Sequence, residues 1–295
     1  MRKVLLVVAL GSTAALATPR PARDTADVGD KGSWSVGIFN PLRIAVHDRV
    51  ELEAAPLVFF VAPNVNARFA ILKDTKPDPS TAPADVKPGL RLTGEFGLSL
   101  PTFAMRLTKG YLFPEWKAGA DNVGWMLIPR VGVLLSGTVF THDVWTVRAD
   151  AAFRIPLGAN SAAPLNSFLA PLDILLAAPL TGVCARVGGA YDHAFGDRLR
   201  LRGEFNVYVT GGQGNLNVAG ASVGPLAAIS PVMLSAHLGL DVAVFKQSRI
   251  TVGVLWANYD TGQTVVVADA DGFSRRSPVR SNNFLPTIDY IWAGF

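Results

Sequence analysis

Leu199-Arg200-Leu201-Arg202-Gly203-Glu204-Phe205-Asn206-Val207-Tyr208-Val209 sorts into two rows. Its odd positions are Leu199, Leu201, Gly203, Phe205, Val207 and Val209, and its even positions are Arg200, Arg202, Glu204, Asn206 and Tyr208. Successive side chains of a strand point to opposite faces, so this stretch is a strand with one apolar face and one charged face. Its length is that of a membrane-crossing strand, about 9–11 residues when tilted.

The pattern recurs along the chain. Trp145, Val147, Ala149, Ala151, Phe153 and Ile155 alternate with Thr146, Arg148, Asp150 and Arg154. Leu90, Leu92, Gly94, Phe96, Leu98 and Leu100 alternate with Arg91, Thr93, Glu95, Gly97 and Ser99. Val232 to Val242 sets Ser235, His237 and Asp241 on its polar side. Trp125 to Phe140 carries Arg130, and Thr181 to Phe195 carries Arg186 and Asp192. Near the N-terminus, Trp34, Val36 and Ile38 run past Pro41 into Leu42, Ile44 and Val46 in one register, a single strand on this reading. Glu51 and Glu53, then Asn66 and Arg68, mark the polar faces of two more, with Pro56 to Val61 apolar on both faces between them. Residues 250–256 and 283–295 supply the last two.

Short connections at 48–49, 141–143, 196–197 and 246–248 face long ones after 156, 211 and 260, the last a polar loop over Thr261–Ser281. Only 17% of the 295 residues are charged, yet beyond the N-terminus the apolar residues are spread by alternation rather than gathered into a spanning helix. The expected fold is all-β: a transmembrane antiparallel up-and-down β-barrel occupying 33–295. Eleven strands can be counted, and such barrels have an even number. Twelve are therefore expected, with ten as the alternative, and the miscount is sought in Val50–Leu72 or around Val265. A secreted soluble β-sandwich is the competing fold, since evenly spaced short strands suit it too.

Both ends agree with export. Met1-Arg2-Lys3, the apolar run Val4–Leu10 and Ala15-Leu16-Ala17 read as the three regions of a signal peptide over 1–17. Thr18–Gly32, rich in Pro, Asp and Ala, reads as a flexible lead-in. Arg2 and Lys3 supply half of the formal charge of +4, so the basic balance is no nucleic-acid footprint. Cys184 is the single cysteine and forms no intramolecular disulfide.

The chain closes on Asp289-Tyr290-Ile291-Trp292-Ala293-Gly294-Phe295. Phe295, Ala293 and Ile291, a terminal aromatic with apolar residues at alternate positions before it, resemble the last strand of bacterial outer-membrane β-barrel proteins. Ala293 is smaller than that pattern usually has. The resemblance implies outer-membrane lipid as surroundings, and recognition of Phe295, Ala293 and Ile291 by the barrel-assembly machinery.

No catalytic, cofactor or metal constellation is legible. Gly220-Ala221-Ser222-Val223-Gly224 matches G-x-S-x-G, but no Asp or Glu lies between Ser222 and His237 and no strand–turn–helix surrounds it. His47, His142, His193 and His237 are scattered. Asp192 and His193 point to opposite faces of a strand.

The functional constellation is the polar face. A charge on the lipid side costs about 2–4 kcal/mol near the midplane, so these residues are expected to line the lumen. They are Arg91, Glu95, Arg130, Arg148, Asp150, Arg154, Arg186, Arg200, Arg202, Glu204 and Asp241, with Arg43, Glu51, Glu53 and Arg68 beside them. Two roles compete. An open lumen with an arginine excess makes a passive channel for small solutes, favouring anions. A lumen filled by ion pairs makes a structural or surface-binding barrel. An outer-membrane enzyme ranks third.

Overall fold

In a computed structural model, residues 24–60, 62–73, 89–100, 103, 125–139, 143–158, 183–196, 198–211, 215–218, 221–225, 232–245, 248–268, 271 and 274–294 are described. The strands are β1 (Trp34–Gly37), β2 (Leu42–His47), β3 (Val50–Ala54), β4 (Asn64–Leu72), β5 (Leu90–Ser99), β6 (Met126–Val139), β7 (Asp143–Phe153) and β8 (Ile155–Pro156). There follow β9 (Val183–Phe195), β10 (Leu199–Gly211), β11 (Asn215–Val218), β12 (Ala221–Pro225), β13 (Val232–Ala243), β14 (Arg249–Ala268) and β15 (Ser274–Gly294). One four-residue helix, α1 (Pro56–Phe59), follows β3.

Twelve strands close a ring by antiparallel pairing: β1 to β7, then β9, β10, β13, β14 and β15, which returns to β1. The two-residue β8 extends the wall beside β6, and β11 with β12 forms a separate hairpin. The fold is thus a closed twelve-stranded antiparallel barrel.

Alternation sets its two surfaces. Phe96, Val131, Val133, Val147, Val187, Phe205, Leu238 and Val254 are exposed on the outside, where water or lipid meets the wall. Their neighbours in sequence are inside: Glu95, Arg130, Arg148, Arg186, Glu204, Asn206 and His237 are half-buried or buried. Every charge on that list would cost more on a lipid-facing wall than inside. Charge thus fixes which face turns inward.

One end of the barrel holds the 48–49 turn, the links from β4 to β5, β6 to β7, β9 to β10 and β13 to β14, and both termini of the ring. We call it the near end. Ser99 of β5, Met126 of β6, Phe153 of β7, Val183 of β9 and Val209 of β10 lie toward the opposite, far end. At the near rim, Trp34 lies against Gly294 and Trp145 against Gly137, each directly opposite its partner in register. A side chain at either glycine would meet the indole within about 3 Å, so glycine is what lets the ring lie flat on the neighbouring strand. Toward the far end, Cys184, Tyr208, Met233 and Ala257 form a small apolar cluster on the neighbouring strands β9, β10, β13 and β14.

Three sequence expectations need correction. The run from Trp34 to Val46 is two strands, not one, and this supplies the twelfth; the miscount lay at 38–41, not in Val50–Leu72 or near Val265. A four-residue break keeps Ile38 and Leu42 on the same parity, so alternation passes through it unmarked. The stretch beginning at Pro56, whose pattern assigned it to neither face, forms α1. Thr261–Ser281 is no loop: β14 and β15 pair on, past a bulge between Asp260 and Thr264, as far as Ala268 opposite Ser274. On β15 the outward row is Phe284, Ile288 and Trp292, whereas Ile291 is buried and Ala293 is half-buried on the inner face. Asp289 forces this: a one-residue slip would turn every side chain over and put its carboxylate outside. Residues 1–17 and Phe295 lie outside the described residues.

Candidate functional site in the barrel lumen

Twelve strands spaced about 4.8 Å apart and tilted about 40° make a barrel of roughly 12 Å radius at the backbone. Eight strands make an interior that side chains fill unaided. Twelve fall between these and the roughly 16–18 that leave an aqueous channel.

Part of this interior is occupied by the chain's own N-terminal segment. Residues 24–32, expected as part of a flexible lead-in, are fastened inside the barrel. Thr25, Ala26 and Val28 are buried. The Ala26 amide donates to Ser136 Oγ at 2.7 Å, and the Ala26 carbonyl accepts from Thr93 Oγ1 at 2.6 Å. Arg68, 1% exposed, donates to the carbonyls of Thr25 and of Asp27, the latter at 3.2 Å. Arg91 Nη1 reaches both carboxylate oxygens of Asp27 at 2.8 Å. Arg43 pairs with Asp24, and the Gly29 amide donates to Glu51 Oε2 at 3.2 Å. Near the rim, the Gly32 amide donates to the Ala45 carbonyl at 2.8 Å, leading the segment into β1. It enters at the near end, passes β2 to β6 and reaches Asp24, which lies beside Arg148, Arg202 and Glu204.

Around this plug the inner wall is an arginine–carboxylate lattice. Arg68 Nη1 lies 2.7 Å from Glu51 and its Nε 3.2 Å from Glu95. Arg43 Nε lies 2.9 Å from Glu53. Asp150 bridges Arg130 at 3.0 Å and Arg186 at 2.6 Å. Arg202 holds Asp192 at 2.8 Å and Glu204 at 3.0 Å, and Arg148 stands 3.9 Å from Glu204. Arg249 faces Asp241 at 3.4 Å, and Arg200 sits opposite Asp241 in register. Of the residues picked from sequence, Arg91, Glu95, Arg130, Arg148, Asp150, Arg186, Arg200, Arg202, Glu204 and Asp241 all belong to this inner face. Arg154 is half-buried just past the end of β7.

Sequence reasoning missed Asp24 and Asp27, because nothing local separates a polar lumen plug from a solvated leader. Arg249 was missed because it borders a turn. Asp289 was missed because Ile288, Tyr290, Ile291 and Trp292 surround it with apolar residues on both rows. Asp289 accepts from the amides of Ile38 at 2.7 Å, Phe39 at 3.2 Å and Asn40 at 2.9 Å, and so closes the β1–β2 turn.

Other polar groups stand apart. His193 pairs with Asp143 across the β7–β9 ladder at the near rim, while Asp192 turns inward to Arg202. Ser222 lies on β12, opposite Asn217 in a two-stranded hairpin.

The geometry defines a class. A closed antiparallel barrel with an even strand number, an apolar outer wall and a charged interior is the fold of outer-membrane β-barrel proteins. Against protein families and characterised proteins the sequence finds no match. Among solved structures the chain is similar to outer-membrane expressed OmpT of Vibrio cholerae, at 11% identity and a TM-score of 0.41, covering 86% of this chain and 64% of that one. The same protein folded in vitro gives 11% identity and a TM-score of 0.38, with coverage of 88% and 64%. A Pseudomonas aeruginosa FadL homologue gives 7% and 0.32, with coverage of 88% and 67%. The chain therefore spans about 64% of the length of the two OmpT chains. The class rests on the strand pairing and the two faces of the wall.

Proposed function

We propose that this barrel is a gated passive channel for small solutes, closed by residues 24–32 and opened when that segment leaves the lumen. The observation that carries this reading is the chemistry of the plug's attachments. Ser136, Thr93, Arg68, Arg91, Arg43 and Glu51 hold it through hydrogen bonds and ion pairs, which water can replace one for one. A segment docked through apolar surface would instead expose that surface on leaving. Once it is out, the wall presents more arginines than carboxylates, which favours anions. On this reading the protein is not an enzyme. Export is directed by residues 1–17, and assembly is directed by the C-terminal strand.

The lattice also supports a second reading. Arg186–Asp150–Arg130 and Asp192–Arg202–Glu204 brace the wall across β6, β7, β9 and β10, as in a permanently filled structural barrel. Conductance in planar bilayers separates the two. The gated reading predicts brief, sparse steps from the full chain and sustained, anion-preferring steps when residues 24–32 are deleted. A deletion variant that migrates as a folded barrel yet gives no steps supports the filled one.

A further inference from the structure

The wall reads the tip of the plug through its main chain. Arg68 donates to the Thr25 carbonyl, and to the Asp27 carbonyl at 3.2 Å. Between them the Ala26 amide donates to Ser136 Oγ at 2.7 Å, and Thr93 Oγ1 donates to the Ala26 carbonyl at 2.6 Å. The carboxylates of Asp24 and Asp27, at either end of this stretch, rest on Arg43 and Arg91. Side chains of β2, β4, β5 and β6 thus hold four consecutive residues, Asp24-Thr25-Ala26-Asp27. These four also carry their own bend. Thr25 Oγ1 donates to Asp27 Oδ2 at 2.8 Å, and the Asp27 amide donates back to Thr25 Oγ1 at 3.3 Å.

The holding groups are in turn ordered by the wall. Arg68 lies 2.7 Å from Glu51 and 3.2 Å from Glu95, and Arg43 Nε lies 2.9 Å from Glu53. Ser136 Oγ shares a 2.8 Å hydrogen bond with Thr146 Oγ1. These partners belong to the wall, so they stay in place when the plug leaves. A receptor ordered before its ligand arrives loses little freedom on binding. What the plug vacates is a preformed site for two carboxylates and the peptide groups between them.

We infer that this site binds short acidic peptides, and that the plug is a tethered copy of such a ligand. The inference rests on the gated reading and supplies its trigger: a free peptide that takes the site keeps the plug out. A ligand making the plug's contacts competes with it near the plug's effective concentration, on the order of millimolar for a short tether. The two carboxylates three residues apart set the charge of the ligand, and the Arg68, Thr93 and Ser136 contacts require peptide groups between them.

The test uses the full chain carrying Val28→Cys, at a plug position 6% exposed, and Cys184→Ser. Labelling at position 28 by a small sulfonated methanethiosulfonate reads how often the plug is out, in protein verified as folded by heat-modifiable migration. The rate is followed by intact-protein mass with capped Asp-Thr-Ala-Asp, with capped Asn-Thr-Ala-Asn, or with glutarate, a dicarboxylate without peptide groups. At about 10 mM, above the effective concentration of the tether, the acidic peptide is expected to raise the rate roughly fivefold or more, and the other two to leave it within about twofold. An equal rise with Asn-Thr-Ala-Asn or with glutarate overturns the ligand class, the first by removing the need for carboxylates and the second the need for a peptide. Labelling at a steady rate that no ligand alters overturns the inference and leaves the gate intact. No labelling with or without ligand overturns the gated reading, and the inference with it.

Discussion

Replacing Arg68 by Met loosens the plug more than any other single change on the wall. Arg68 is 1% exposed, donates to two carbonyls of the plug and faces Glu51 and Glu95 on the neighbouring strands. Methionine retains much of its length and none of its donors. Removing one partner of a buried ion pair costs about 3–5 kcal/mol, because the partners left behind stay buried without compensation. The ladder hydrogen bonds of β3, β4 and β5 are main-chain and survive the change, so the cheapest relief is for the plug to leave and admit water to Glu51 and Glu95. At about 3 kcal/mol, the ratio of open to closed lumen rises roughly 10²-fold. Arg91→Met is the matched control. Its pair with Asp27 is part-exposed, with side chains 14% and 26% accessible. Such pairs are worth up to about 1 kcal/mol, or a few-fold in open time. Single-channel recording of both variants, each checked for heat-modifiable migration, reads the difference directly. Equal open times for Arg68→Met and the unaltered chain, or a larger effect from Arg91→Met, refutes the reasoning.

Further outcomes follow from the wall. Asp289→Ala leaves three turn amides without their acceptor and is expected to lower the free energy of unfolding, read by urea titration in vesicles, by about 1–3 kcal/mol per orphaned donor at most, whereas Asp241→Ala, whose pair with Arg249 is 3.4 Å long, costs clearly less. Gly188→Val drives its Cβ to within 2.8 Å of the Phe205 carbonyl and into Asn206, a clash expected to cost about 1–3 kcal/mol in the same assay. Val133→Arg places a charge on the outer wall and is expected to cost about 2–4 kcal/mol, while Thr138→Arg, on the inner face near the rim, is tolerated in comparative unfolding.

Much of this architecture is written in charge and parity. Arg200, Arg202 and Glu204 on one parity of β10, with Arg148 and Asp150 on β7 and Arg186 on β9, determine which face turns inward, and the structure follows them. Alternation is silent where both rows are apolar. On β15, Ile288 and Trp292 compete with Ile291 and Ala293, and only Asp289, with its reach to the β1–β2 turn, decides between them. Parity also hides a break of even length, which is why residues 38–41 read as strand. The plug was illegible for a different reason. Asp24 to Gly32 has the composition of a solvated leader, and its placement depends on the radius of a ring closed by strands far away in sequence. Arg43, Arg68 and Arg91 were legible as lumen residues, but not as the hands that hold a segment of main chain.

The central claim is that residues 24–32 stop the lumen. Its most direct test is a disulfide between cysteines placed at Ala26 and Ser136, positions joined by a 2.7 Å hydrogen bond from the Ala26 amide to Ser136 Oγ, in a chain whose Cys184 is changed to Ser. The account predicts that the oxidised protein gives no conductance steps and that reduction restores those of the unlinked chain. Steps that persist unchanged in fully cross-linked protein would contradict it.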